Sequence, residues 1–284
     1  MDDLISVVVP VGGVDDPLSE QLGALVGQET DRSYEVVLAL NADDTGTRRE
    51  LARIVDELDD RRVRVVDASD RRGAAHARNV GAREAKGDLL VFCDADDVAQ
   101  PGWLDGMVDA LDRHDAVGGR LVDFGLSGRQ AAMRPPATPD DLPTFLGVPY
   151  IVSASLALTR DLFDEVGGFD EELVRGEDIA LSWSLIDADH TLGFAPDATI
   201  LYRHRPGLPA FVKQHYLYGQ GMAQVLARYG VPGEAAPTAG LSALRPNGQR
   251  GGRRSWVVLV RRGALASGRL VGLVKERVRP CPRP

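Results

Sequence analysis

Apolar positions in the first hundred residues fall into two alternating rhythms. Ile5-Ser6-Val7-Val8-Val9-Pro10-Val11 and Tyr34-Glu35-Val36-Val37-Leu38-Ala39-Leu40 are nearly continuous apolar runs rich in β-branched residues. Such runs predict strands covered on both faces. Between them Leu18, Leu22, Leu25 and Val26 recur at helical spacing, with Pro17 near the start, so a helix is expected there. The alternation repeats: Leu51, Ile54, Val55 and Leu58 mark a second helix, Val63 to Val66 a third strand, and Ala74 to Ala85 a third helix that Gly87 is expected to end. Leu89 to Cys93 is too short for a helix and is fenced by polar residues, so it predicts a buried fourth strand.

Strands alternating with helices predict an α/β protein built on a mostly parallel sheet, with ligands at the carboxyl ends of the strands. The turns after the first, second and fourth strands then line one crevice, bringing Gly12, Asn41, and Asp94 with Asp96 to it. Gly12-Gly13 lacks the third glycine of a dinucleotide fingerprint and shows only a tight turn.

Beyond residue 118 the pattern loosens. Arg134 to Asp141 is a loop by composition, expected to act as a mobile lid or specificity loop. Order resumes with the run Tyr150 to Leu158, a helix from Arg160, and the turn Val166-Gly167-Gly168-Phe169-Asp170. Ala198 to Arg205 is a further predicted strand, Phe211 to Tyr229 an amphipathic helix, and Gly230 to Gly252 a Pro/Gly-rich linker. Trp256 to Val278 mixes Val and Leu with Arg at near-helical spacing, which suits either a helix on a membrane surface or a disordered solubilising tail.

Composition changes this picture in two respects. The 284 residues are 44% hydrophobic and 26% charged, enough for a soluble domain with a real core plus an appendage. The net charge of -9 is split: residues 245–284 hold eleven basic groups and one acidic, net +10, leaving -19 on the rest. An acidic body argues against general nucleic-acid binding, and a basic tail argues for an anionic surface nearby. Cys93 and Cys281 lie in unlike surroundings and suggest neither a disulfide framework nor a zinc site. The acidic start Met1-Asp2-Asp3 is no secretory signal, and no apolar run is long enough to span a bilayer, so a cytoplasmic protein is expected.

Candidate chemistry lies in two acidic stretches. Asp94-Ala95-Asp96-Asp97 follows the fourth strand. In extended backbone Asp94 and Asp96 share a face, where their charges repel unless a hard cation such as Mg²⁺ or Mn²⁺ sits between them. The simpler alternative is an Asp-rich turn, with Asp97 capping a helix that begins near Pro101. Glu177-Asp178 opens the apolar segment Ile179 to Leu185, where N-terminal compensation of the helix dipole would also account for them. His204, beside two arginines at the end of a strand, is open to a surface role or a ligand role.

Six pieces in order resemble the family 2 glycosyltransferases, inverting enzymes of GT-A fold. They are Val7-Val8-Val9-Pro10-Val11, Glu35-Val36-Val37, Arg72-Gly73-Ala74-Ala75-His76-Ala77-Arg78-Asn79-Val80-Gly81, Gly87-Asp88 through Asp94-Ala95-Asp96-Asp97, Val166-Gly167-Gly168-Phe169-Asp170-Glu171 and Gly176-Glu177-Asp178. The resemblance implies a GT-A domain over residues 1–205, with a nucleotide-sugar half at about 1–100 and an acceptor half at 101–205. A helical extension and linker at 206–244 and the basic tail at 245–284 would follow.

The resemblance also implies Mn²⁺ or Mg²⁺ at Asp94 and Asp96, with His204 as a further ligand. Asp178 would be the general base, with Glu177 its neighbour. Pro10, Val11, Gly12, Asn41, Arg72, Arg78, Asp94 and Ala95 would line the nucleotide-sugar site. The donor would be a nucleoside-diphosphate sugar; the basic tail points to a lipid-linked glycan acceptor at the cytoplasmic membrane face, with a soluble small molecule as the alternative.

Two departures bear on the base: Gly12-Gly13 offers it no aromatic partner, and Asn41 stands where many members carry an Asp. An amide can still pair with uracil or thymine. Two other classes compete, a nucleotidyltransferase on a similar sheet and a non-catalytic scaffold. The first would want a basic phosphate loop, which Gly12-Gly13-Val14-Asp15-Asp16 is not. The second is opposed by the retained carboxylates.

Overall fold

The computed structural model describes residues 4–14, 16–124, 140–204, 207–232 and 256–278. Its first half alternates as the apolar pattern requires: β1 (Ile5–Val11), α1 (Asp16–Val26), β2 (Tyr34–Leu40), α2 (Thr45–Leu58), β3 (Val63–Asp67), α3 (Ala74–Glu84) and β4 (Leu89–Cys93). There follow β5 (Val98–Ala99), α4 (Trp103–Leu111), β6 (Ala116–Phe124), the hairpin β7 (Thr144–Phe145) and β8 (Val148–Pro149), and β9 (Ser155–Thr159). The chain continues through α5 (Arg160–Glu165), α6 (Glu177–Asp187), β10 (Leu192–Arg203), α7 (Leu208–Tyr229) and α8 (Trp256–Val278).

Eight strands form one sheet in the order β3-β2-β1-β4-β9-β6-β10-β5. β1 pairs parallel with β2 and β4, whereas β9 runs antiparallel to both β4 and β6, so the sheet is mixed. Alternation along β1 sends Val7 and Val9 to one layer and Val8 to the other. The first layer packs under Leu18, Leu22, Leu51 and Trp103 of α1, α2 and α4. The second holds Phe92, Phe163, Phe169 and Leu181, with Phe92 and Phe169 meeting edge to face at 5.2 Å. Each fully buried side chain of this size contributes roughly 1.5–3 kcal/mol.

Several expectations need correction. The helix α3 is not ended by Gly87: its cap, Ala85, is already extended at φ -64° and ψ 147°. Gly87 is instead required by close approach, since a Cβ there would lie 2.2 Å from the Leu4 carbonyl oxygen. The loosened pattern after residue 118 hides β6, because Gly118 and Gly119 replace apolar side chains in a crowded sheet. A Cβ on Gly119 would sit 2.2 Å from Ser155 Oγ.

Of the run Tyr150 to Leu158, only the part from Ser155 is strand. β10 begins at Leu192, earlier than Ala198, and its register slips between Ala195 and Thr199, where Pro196 interrupts the pattern. Residues 134–139 of the expected loop, 205–206 at the strand end, and 233–252 of the expected linker lie outside the described residues, as does Cys281.

Trp256–Val278 is helical from end to end and packs along α7. Glycines let the two backbones touch: a Cβ on Gly219 would lie 2.1 Å from Leu265 O, and one on Gly268 would lie 1.9 Å from Tyr216 O. Among the described residues no helix is long and apolar enough to cross a membrane.

Candidate active site

β4 ends at Cys93, and the backbone turns through Asp94–Asp97 before β5. This turn is held from below by α1. Gln21, fully buried, donates from Nε2 to Asp94 O at 3.0 Å and accepts from Ala99 N at 2.9 Å, closing both ends of the turn. Gln28 repeats the arrangement farther on, donating to Gln100 O at 3.1 Å and accepting from Leu104 N at 3.2 Å. The opposite side is held by β10. Arg203 N donates to Asp97 Oδ1 at 2.8 Å, and Arg203 Nε donates to Asp96 O at 2.9 Å.

The turn therefore gathers three carboxylates, not two. Asp94, Asp96 and Asp97 each place an oxygen within 4.8 Å of the others. The expected helix cap at Asp97 is not formed: α4 starts at Trp103 behind Gly102 (φ 78°), with no side-chain cap. Asp97 is instead fully buried, and its Oδ2 has no partner. Burial, then the Asp94 charge, push its carboxyl up to about 9. Three hard oxygen donors, one with a buried oxygen left unpaired, fit a divalent cation of the Mg²⁺ or Mn²⁺ type.

Arg78, on α3 and almost wholly buried, joins this turn to the second acidic stretch. Its Nη2 donates to Asp94 Oδ1 at 2.5 Å and its Nη1 to Glu177 Oε1 at 3.1 Å. Burial opposes the Arg78 charge, but Asp94 and Glu177 more than offset it and raise its pKa. Glu177 and Asp178 form the first turn of α6 behind Gly176 (φ 88°), which contributes no side-chain cap. Asp178 Oδ1 accepts from the adjacent Ile179 N at 2.9 Å. Burial, then the Glu177 charge, push the Asp178 carboxyl up to about 7.

The remaining expected residues lie around this centre in different ways. Val11 is buried and accepts from Asn41 N at 2.8 Å, which ties the turns after β1 and β2 together. Pro10 and Ala95 are partly buried, while Gly12 is exposed and a Cβ on it would meet nothing within 4 Å. The Asn41 amide is engaged within the protein. Its Oδ1 accepts from Gly73 N at 2.8 Å, and its Nδ2 donates to Arg71 O at 2.7 Å and to Ala68 O. Exposed Arg72 pairs with Asp43. His204 lies just past β10, with Nε2 2.6 Å from Asp123 Oδ1, and is not one of the three clustered carboxylates.

Two sequence pieces found far apart prove to be joined. Asn79 donates to Phe169 O at 2.8 Å and accepts from Phe169 N at 2.9 Å, and it also donates to Glu171 Oε1 at 2.8 Å. His76 bridges Glu171 and Asp70 at 2.9 and 2.8 Å. Gln21, Gln28 and Arg203 were not singled out from the sequence. The signal for Gln21 was there, since it interrupts the apolar face carrying Leu18, Leu22 and Leu25.

The acidic turn after the central strand β4 and the acidic start of α6 are thus joined through Arg78. The chain belongs to glycosyl transferase family 2, whose description matches residues 6–167. It is 27% identical over 197 residues to the pre-mycofactocin glycosyltransferase of Mycobacterium tuberculosis, covering 62% of this chain and 39% of that protein. The chain thus spans about two fifths of that relative's length. It is 26% identical over 231 residues to glycosyltransferase AglE of Haloferax volcanii, covering 78% of this chain and 73% of that one.

Among solved structures, the mannosyltransferase PcManGT of Pyrobaculum calidifontis, in complex with GDP-Man and Mn²⁺, superposes with a TM-score of 0.63 at 20% identity, covering 98% of this chain and 76% of that one. GalNAc-T7 with UDP, GalNAc and Mn²⁺ superposes with a TM-score of 0.59 at 17% identity, covering 85% and 53%. These likenesses establish the fold.

Proposed function

We propose that this chain is a metal-dependent, inverting glycosyltransferase that moves a sugar from a nucleoside-diphosphate sugar to an acceptor hydroxyl. The observation that carries this reading is the Arg78 bridge, which ties Asp94 of the acidic turn to Glu177 at the start of α6. Asp94 and Asp96, with Asp97 beneath them, would hold Mn²⁺ or Mg²⁺. When bound, the cation supplies Lewis-acid stabilisation of the departing diphosphate.

Glu177 is already committed to Arg78, which leaves Asp178 as the base. Asp178 takes the proton of the acceptor O–H as that oxygen bonds to the anomeric carbon. The bond from that carbon to the phosphate oxygen breaks on the opposite face, and its electron pair leaves with the diphosphate, so configuration inverts. A carboxyl held near neutrality suits this task. On this reading Val11, Gly12 and Asn41 shape the nucleotide side, Asn41 by holding the segment that carries Arg72 rather than by reading the base. His204, next to Arg203 at the end of β10, would supply a further ligand.

A lipid-linked acceptor is supported by one relative and by α8. The glucosyl-dolichyl phosphate glucuronosyltransferase of Haloferax volcanii is 27% identical over 192 residues, and its name records a lipid-borne acceptor. Leu270, Leu273 and Val274 stand exposed on α8 within the basic C-terminal segment, a combination suited to the anionic inner face of a membrane.

The reading is tested by thermal shift with UDP, GDP, dTDP and CDP, each with and without Mn²⁺, and with Asp96→Ala as control. One nucleotide should raise the melting temperature only with Mn²⁺, and the variant should lose that shift. No shift with any nucleotide would defeat the reading.

A further inference from the structure

Two tyrosines stand near the acidic start of α6, one of them on α7, beyond the family match at residue 167. α7 crosses the start of α6 in backbone contact. A Cβ on Gly221 would lie 2.0 Å from Arg175 O, and one on Gly176 would lie 3.7 Å from the Gly221 carbonyl carbon. Tyr218 sits three residues before Gly221, on the same face of α7, and burial, followed by the Asp178 charge, raises its pKa. Its hydroxyl accepts from Gln214 Nε2 at 2.9 Å and is hydrogen-bonded to Tyr202, whose ring meets His204 at 5.0 Å.

Tyr150 approaches from the other side. Ile151 N donates to Ser182 Oγ at 2.9 Å, and that hydroxyl donates to Asp178 O at 2.8 Å. The residue preceding Ile151 is thereby fixed beside the base. The Tyr150 ring packs with the Trp183 and Val225 cluster, yet its hydroxyl makes no hydrogen bond among the described residues. Burial, then the Asp178 charge, raise its pKa, so it remains a protonated donor.

We propose that Tyr150 and Tyr218 form the acceptor subsite, an aromatic cleft over Asp178 that receives a pyranose ring. The acceptor is thus a glycosyl residue, and the two phenols select which of its hydroxyls meets the base. A sugar presents apolar C–H faces to aromatic rings and hydroxyls to phenols, whereas a simple alkyl alcohol would leave the Tyr150 hydroxyl unpaired. The proposal rests on Asp178 being the base.

The test uses the full chain with Mn²⁺ and a panel of UDP-, GDP- and dTDP-sugars. Acceptors are p-nitrophenyl pyranosides on one side, and 1-decanol and a polyprenyl phosphate on the other. Wild type should glycosylate at least one pyranoside. Tyr150→Phe and Tyr218→Phe, which keep the ring, should each raise acceptor KM about fivefold to tenfold, the loss of one neutral hydrogen bond, while donor KM moves less than twofold. Transfer to no pyranoside, or acceptor KM within twofold of wild type in both variants, overturns the proposal. Asp178→Asn separates the two readings: if it transfers at the normal rate the base assignment fails, and if it is inactive while both Phe variants behave as wild type only the subsite fails.

Discussion

Arg78 holds Asp94 at 2.5 Å from a position that water scarcely reaches, and the same guanidinium carries Glu177 at 3.1 Å. A planar fork reaches two carboxylates from two parts of the fold with two separate nitrogens, whereas an ammonium must serve both from one. Arg78→Met leaves two carboxylates without their cation and should cost about 3–5 kcal/mol of stability in chemical denaturation. Arg78→Lys keeps the charge but loses one arm. It should fold more stably than Arg78→Met yet transfer about 100-fold more slowly than wild type, because the turn and the helix start are no longer held in one geometry. Equal rates in Arg78→Lys and wild type would show that charge alone suffices.

Gln21 makes a different kind of prediction, because it touches no carboxylate. Its two hydrogen bonds hold the carbonyl of Asp94 and the amide of Ala99. Gln21→Leu leaves both groups unpaired in a dry interior and should lower stability by about 1–3 kcal/mol in urea melts. The Mn²⁺ concentration for half-maximal activity should rise as well, since the turn that presents Asp94 and Asp96 loses its floor. A melting change with no movement of that midpoint would assign Gln21 to folding alone.

The contrast between these residues explains what could be read from the sequence. Periodicity placed β1, β2 and β4 to the residue, because a strand buried on both faces must be apolar throughout. It failed at β6, where Gly118 and Gly119 fill a crowded sheet without any apolar side chain, and at β10, where Pro196 splits one strand into two unlike pieces. The gathering of Asp94 and Asp96 was legible because three carboxylates in four positions of one turn cannot avoid one another. The alternative of Asp97 as a helix cap is not realised, and its actual partner, Arg203 N, lies more than a hundred residues away, where no local pattern reveals it. Asn41 was read for the hydrogen bonds it could offer a ligand, but the neighbouring backbone uses its amide first.

The pH dependence of transfer should identify the base. Asp178 must be ionised to accept a proton, and burial with the Glu177 charge holds it protonated up to about 7. The rate should therefore fall about tenfold per unit below that value. Glu177→Gln removes the neighbouring negative charge and frees Arg78 to act on Asp178, so the midpoint should move down. Stability runs in the opposite sense. A carboxyl whose pKa is raised by folding contributes stability fully present below its unfolded value near 3.9, and that contribution is lost as pH rises through about 7. Asp178→Asn should consequently gain on wild type in thermal melts at pH 8 relative to pH 5. A pH–rate profile flat between 5 and 8 would exclude Asp178 as the titrating group.

Contact between α7 and α8 depends on residues with no side chain at all. A Cβ on Gly268 would lie 1.9 Å from Tyr216 O, and one on Gly272 would lie 2.6 Å from Gln220 O. Gly268→Val must therefore push the two backbones apart, an overpacking cost of about 1–3 kcal/mol. Gly263 lies on the same helix with open space around it and provides the control. Gly263→Ala should leave the packing intact and stabilise α8 by roughly 0.5–1 kcal/mol through helix propensity. Limited trypsin digestion distinguishes them: cleavage at Arg261, Arg262 and Arg269 should accelerate in Gly268→Val and slow in Gly263→Ala. Because Tyr216 is two residues from Tyr218 on α7, the loosened variant should also weaken acceptor binding. Digestion of Gly268→Val at the wild-type rate would mean that the helices do not approach as closely as their glycines allow.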